Sequence, residues 1–252
     1  MAMKAMGTLR ELFRYPVKSL AGERLEAADV EEQGLAGDRV CAFYDDSREG
    51  WSRYFTARNL PEMLAYRASL DGEGQVRVTT PEGQVYGWDE KLLAELQKRT
   101  PVKLSLSACR APHPEVPGLL SVDEASLLIV TDAALSRLES GWGRRLDPRR
   151  FRPNLILALT GDAPEEESWI GKRLAIGGAL LRVDGPCTRC PVIAIDPDTF
   201  SKDPSLTRKL REDLDMQFGL YASVVRPGPV QAGDEVRLLD GPDLTDSPAS
   251  SS

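Results

Sequence analysis

Apolar and polar residues alternate at a period of two over much of this chain, the spacing that turns one face of an extended segment toward a core. "GTLRELFRYPV" and "LEAADVEEQGLAGDRVCAFYD" read as strands broken by polar turns, and "VRVTTPEGQVYGW" as a hairpin turning at "PEGQ". The period then changes. "DEKLLAELQKR" has helical spacing with Asp89 placed to cap it, and the Pro-rich "ACRAPHPEVPGLLS" reads as loop. Beyond it, "LLIV" predicts a buried strand, and "TDAALSRLES" a short helix capped by Thr131 and stopped at Gly141. "NLILALT", "RLAIGGALLRVDG" and "CPVIAID" read as further buried strands. "DPSLTRKLREDLDMQF" reads as a helix with Pro204 in its first turn and Gly219 past its end, followed by two strands in "LYASVVRPGPVQAGDEVRLL".

These elements predict a β-rich α/β chain in two parts. An N-terminal β-barrel-like domain is expected over residues 1–95 and a β-barrel domain with a few helices over 96–240, with a disordered tail over 241–252. Many short strands must protect their edges, and closure into barrels does so.

Composition narrows the function classes. A hydrophobic content of 41% suits a globular chain, and a net charge of −7 excludes a general nucleic-acid binder, whose footprint is basic. No apolar run approaches the roughly 18 residues that span a bilayer. The opening "MAMKAMGTLRELFRYPVKS" is too often broken by charge for a secretory segment, so the expectation is a cytoplasmic protein with no membrane partner. Four cysteines (Cys41, Cys109, Cys187, Cys190) are few for a disulfide scaffold, which agrees with a reducing compartment.

"GPCTRCPVIAIDPD" holds two of those cysteines around an arginine. Zinc would need four ligands from paired clusters, and no second pair exists; an iron–sulfur cluster would need thiolates close at hand. A thioredoxin-like pair would open a helix, whereas "PVIAID" is strand-like. The bland alternative is two buried small hydrophobes. Basic residues weigh against it. Arg149, Arg150 and Arg152 precede a strand, with Pro153 biasing Arg152 to an extended conformation that sends Arg150 and Arg152 to one face. Lys18, Ser19, Arg39, Thr56 and Arg58 also lie in or beside apolar segments. A charge buried without a partner is expensive, so these cations call for an anion, and phosphate suits arginine.

At this point the chain resembles a known family. "YPVKSL", "GLAGDRV", "FTARNLPEML", "SVDEASLLIVT", "RRFRPNLIL", "CTRCPVIAIDPDT" and "GLYASVVRPGPVQAGDEVRLL" stand in the order expected of the MOSC superfamily, the molybdenum-cofactor sulfurase C-terminal domain preceded by its N-terminal β-barrel domain. The likeness spans roughly residues 8–240 and is strongest to the amidoxime-reducing and bacterial hydroxylaminopurine-resistance branch. It implies a molybdenum cofactor, molybdenum–molybdopterin, with Cys190 as metal ligand and catalytic centre. Lys18, Ser19, Arg39, Thr56, Arg58, Asp123, Arg152 and Asn154 would hold the pterin, with Arg150 beside them. Ala134 departs from the serine that relatives often carry.

The implied activity is oxidoreduction: N-hydroxylated compounds such as hydroxylamines, amidoximes or N-hydroxylated bases would lose oxygen. Neither a ferredoxin-like module nor a membrane anchor is expected, so electrons are expected from a separate flavin or iron–sulfur reductase. The alternative is a sulfur or cofactor carrier with a Cys190 persulfide and no turnover. A pyridoxal-dependent activity is not expected, since its lysine-bearing motif is missing. His113, the one histidine, is expected at the surface, outside the chemistry.

Overall fold

A computed structural model describes residues 3–113, 119–120 and 124–239. Asp123 and the tail over 241–252 lie outside the described residues, as does part of the Pro-rich loop. Seven strands close into a barrel. They are β1 (Met3–Arg14), β2 (Leu127–Thr131), β3 (Leu155–Leu159), β4 (Arg173–Ile176), β5 (Ala179–Thr188), β6 (Gln217–Arg226) and β7 (Glu235–Leu239). Around the ring they run β1–β3–β2–β6–β5–β4–β7 and return to β1. Every pairing is antiparallel except β2–β3.

Closure leaves the ring without a free edge. The long first strand bends to achieve it, with register shifts at Ala5/Gly7 and Leu9/Glu11. Glycine is required at position 7 because a Cβ there would lie 2.1 Å from the Ala158 carbonyl oxygen. Met6, Leu9, Leu12, Leu127, Ile129, Leu155, Leu157 and Leu181 fill the interior with their neighbours.

Three α-helices are present among the described residues: α1 (Glu90–Gln97), α2 (Asp132–Trp142) and α3 (Pro204–Leu214). Helices α2 and α3 cover the outer face of β2, where Leu128 and Val130 pack with Leu138, Phe151, Leu206, Leu210 and Phe218. That is why β2 reads as an unbroken apolar run, since both of its faces are buried. A second core gathers Leu20, Phe43, Phe55, Met63, Tyr66, Val78, Leu92 and Leu96 under two small sheets and α1, while the third small sheet packs Val30, Leu35 and Val230 against the barrel core. The strand Ala27–Glu31 pairs with Gly228–Gln231, so segments from both ends of the chain interlock.

The structure bears out the hairpin, with Val76–Thr79 paired to Val85–Gly87, and all three helices. The Asp89 carboxylate accepts from the Lys91 and Leu92 amides, and the Thr131 hydroxyl from the Ala134 amide. Several details differ. Helix α2 stops at Gly143 (φ +73) rather than Gly141. Helix α3 ends through Asp215 and Met216, both left-handed, while Gly219 lies inside β6, where a Cβ would meet the Ile129 carbonyl oxygen at 2.9 Å. The closing segment holds three strands, not two.

"CPVIAID" is not a strand. Pro191 fixes φ at the first position of a 3-10 turn, Pro191–Ala194, and extended Cys190 caps it. Arg152 is not extended either: it closes the turn Pro148–Phe151 in the left-handed region. Cys41 and Cys109 form a disulfide across 68 residues, which the reading of the cysteines as uncrosslinked did not foresee.

Candidate functional site

A cavity of about 210 Å³ opens between the barrel and the small sheets. Five of the segments that line it flank regular elements, and Glu124, Ala125, Leu127, Leu128 and Tyr221 complete the wall. Lys18 and Ser19 follow β1; Arg39 precedes the strand Phe43–Asp45; Thr56 and Arg58 follow Tyr54–Phe55; Arg150 and Arg152 precede β3; Cys187 to Ile193 leave β5. Eight of the ten predicted site residues line this one space: Lys18, Ser19, Arg39, Thr56, Arg58, Arg150, Arg152 and Cys190.

Three of them, Ser19 (φ +67), Arg39 (φ +45) and Arg152 (φ +54), hold left-handed backbone conformations. Such strain costs about 1–3 kcal/mol per residue and persists where surrounding structure enforces it. Here hydrogen bonds do so. The Lys18 amide donates to the Cys41 carbonyl (2.9 Å), and the Arg39 amide to that of Tyr15 (2.8 Å). Arg39 also donates to the buried Asp38 carboxylate and, at 3.0 Å, to the Arg152 carbonyl. Asp38 in turn accepts from the Tyr15 amide at 2.7 Å. The Tyr15 ring lies against both guanidiniums, 4.3 Å from Arg152 and 5.3 Å from Arg39. Burial raises the Tyr15 hydroxyl pKa far above its ordinary value, so the ring stays neutral between its two cations.

Asn154 does not line the cavity. Fully buried, it accepts from the Leu128 amide (3.0 Å) and from Arg39 (3.1 Å) and donates to the Phe13 carbonyl (3.3 Å), standing behind Arg39 as its post. Arg150, 8% exposed, donates to the Ile193 carbonyl (3.2 Å) and to Asp196 (2.6 Å). The Asp196 carboxyl is held below its ordinary range, first by the Thr199 amide, then by the Asp198 amide and Arg150.

Arg189 was not among the predicted site residues, although "CTRC" displays it. It donates to the Cys187 sulfur (2.8 Å) and to the Phe151 carbonyl (2.6 Å), bridging the cysteine loop to the arginine-bearing turn. Sequence reasoning also missed Glu124, the single carboxylate among the described lining residues; it accepts from the Tyr221 hydroxyl at 3.4 Å. Against it stand six cations, Lys18, Arg39, Arg58, Arg150, Arg152 and Arg189. The two free thiols differ: Cys187 is buried and Cys190 exposed. His113 is half-buried against Trp51, 4.8 Å between ring centroids, and does not line the cavity.

Among the described residues no group of three or more His, Cys, Asp or Glu could hold a bare metal ion. What the cavity offers instead is one exposed thiol, Cys190, among six cations, a donor set for a group that brings negative charge and its own ligands.

A closed barrel joined to a set of small sheets, with a thiol and a cationic cradle at their junction, defines the class of protein. The chain belongs to the MOSC superfamily: residues 6–126 match the MOSC N-terminal beta barrel domain and residues 118–237 the MOSC domain. It is similar to mitochondrial amidoxime-reducing component 1 of Homo sapiens, 26% identical over 94% of this chain and 84% of that protein. It is also similar to molybdenum cofactor sulfurase of Drosophila mojavensis, 36% identical over 88% of this chain but 32% of that much longer protein. Among solved structures, the YUAD protein of Bacillus subtilis shares the fold, with a TM-score of 0.51 at 15% identity over 94% of this chain and 97% of that one.

Proposed function

We propose that this chain is a molybdenum-cofactor-dependent reductase of N-hydroxylated compounds, receiving electrons from a separate flavin or iron–sulfur protein. The observation that carries the reading is the convergence of exposed Cys190 with six cations on one cavity. The donor set fits molybdenum–molybdopterin: a soft thiolate for the metal, guanidiniums for the phosphate. When bound, that cofactor supplies two-electron oxygen-atom transfer.

The protein's part is to hold and orient. Cys190 would ligate the metal from the cap of its 3-10 turn, while Lys18, Ser19, Arg39, Arg150 and Arg152 would hold the anionic end, with Thr56 and Arg58 beside them and Asp123 and Asn154 in support. Reducing R–NH–OH to R–NH2 and water consumes two electrons and two protons. Glu124, the carboxylate on the cavity wall, would relay a proton, positioned by the Tyr221 hydroxyl that donates to its Oε2. A cytoplasmic setting remains part of the proposal, with the Cys41–Cys109 link counting against the reducing-compartment argument for it; among the described residues no helix is long and apolar enough to cross a membrane.

The test is molybdenum and pterin analysis of protein from a cofactor-competent host, followed by benzamidoxime or hydroxylaminopurine reduction with the chemically reduced protein. Stoichiometric molybdenum and turnover are expected, both lost in Cys190→Ala; unchanged turnover in that variant refutes the ligand role. The exposure of Cys190 equally suits a persulfide carrier. That reading is favoured instead if cyanide releases sulfur from wild type and no reduction occurs.

A further inference from the structure

A second basic cavity, of about 480 Å³, lies on the other side of Arg152, which lines both. Four guanidiniums border it, from Arg24, Arg67, Arg149 and Arg152, against the one carboxylate of Asp198 among the described lining residues. Asp198 is already committed, since it holds Arg149 at 2.7 Å alongside Asp147 at 2.6 Å. Arg24 and Arg67 come from neighbouring segments: Ala21 bridges to Arg67, and the Ala68 amide donates to the Ala21 carbonyl at 2.8 Å. Arg24 forms a long ion pair with Glu11 at 3.8 Å, beyond hydrogen-bond distance, and both arginines are solvent-exposed. In a chain of net charge −7, such a pocket concentrates positive potential where the remaining surface is acidic. Two aromatic rings, Phe13 and Phe200, line the same cavity.

We propose that this cavity binds a mononucleotide, its phosphate forked by Arg24 and Arg67 and its ring laid against Phe200 and Phe13. The volume suits a ligand of that size. Arginine supplies bidentate phosphate contacts, and aromatic faces accept any base. Two sources share this chemistry: a free mononucleotide, or a nucleotide attached to a phosphorylated ligand in the first cavity and reaching past Arg152. Binding of a free mononucleotide uses neither Cys190 nor a metal, so it is tested apart from the functional reading above, while the attached source rests on that reading.

The experiment is calorimetric titration of the purified protein with AMP, GMP and CMP, beside adenosine and inorganic phosphate. Saturable binding of at least one mononucleotide is expected, with adenosine and phosphate each weaker by roughly tenfold or more. R24E/R67E should weaken the nucleotide by a similar factor; where that double variant misfolds, R67Q, at an exposed position, replaces it. No saturable binding of the three nucleotides to protein whose acid extract holds no nucleotide, or binding unchanged in the folded variant, overturns the proposal. Acid extraction of the holoprotein separates the sources. Nucleotide equimolar with molybdenum assigns it to the attached form, and its absence, with free nucleotide still binding, to the free one.

Discussion

A buried side chain with several polar partners shapes a cavity it never touches, and Asn154 is such a residue. Its Oδ1 takes both the Leu128 amide and the Arg39 guanidinium, and Arg39 in turn holds the Arg152 carbonyl. Asn154→Ala would leave a buried amide and a buried guanidinium without that acceptor, each costing about 1–3 kcal/mol. We therefore expect a stability loss of about 2–4 kcal/mol by urea unfolding at neutral pH, with weaker cofactor retention as Arg39 and Arg152 relax. A variant within 0.5 kcal/mol of wild type, roughly the error of such a measurement, would show that the post is dispensable. "FRPN" marked Asn154 in the sequence, but its distance from the cavity wall could be read only from the fold.

Among elements, what the sequence displayed was whatever has a local cause. Period-two alternation exposed the strands because the barrel buries one face, and the caps Asp89 and Thr131 announced themselves as acceptors before apolar runs. Hidden were the features fixed by tertiary context. Asp215, Met216 and Arg152 adopt left-handed turns with no glycine to signal them, and Pro191 opens a turn where apolar content suggested a strand. The Cys41–Cys109 link was invisible for the same reason: pairing across 68 residues is a property of the fold, not of either neighbourhood. It fastens the segment around Cys109 to the one whose carbonyl receives the Lys18 amide. A loop of that length carries about 4 kcal/mol of denatured-state restriction. Cys109→Ser, or dithiol reduction through the exposed Cys109, should lower the urea midpoint accordingly, with the unfolding slope rising as the denatured chain expands. An unchanged midpoint after complete reduction, verified by thiol titration, would count against the link as a stabilising element.

At the scale of the molecule, an acidic chain gathers some of its cations on two cavities and fastens several carboxylates to amides and guanidiniums. The need for an anionic partner was legible in the arginines written beside apolar strands; that Arg189 and Glu124 would join them was not, since neither position follows from strand periodicity. The carboxylate side has a measurable consequence. Asp71, Asp196 and Asp203 all titrate below the ordinary value of 3.8, held foremost by the backbone amides of Gln75, Thr199 and Ser205 respectively. Folded values below unfolded ones mean that the unfolded chain binds more protons in this range. The stability these groups contribute is complete above the unfolded value and is lost as pH falls through the lowered folded ones. The urea midpoint should therefore be level near neutrality and fall below about pH 4–5. Asp196 adds a functional readout, because its oxygen holds Arg150 on the cavity wall. Asp196→Asn keeps the shape but removes the titration, so it should flatten part of the acid limb while weakening cofactor retention at neutral pH. A midpoint that is level from pH 6 to 3, or an acid limb identical in wild type and Asp196→Asn, would show that these contacts do not set the acid stability of the fold.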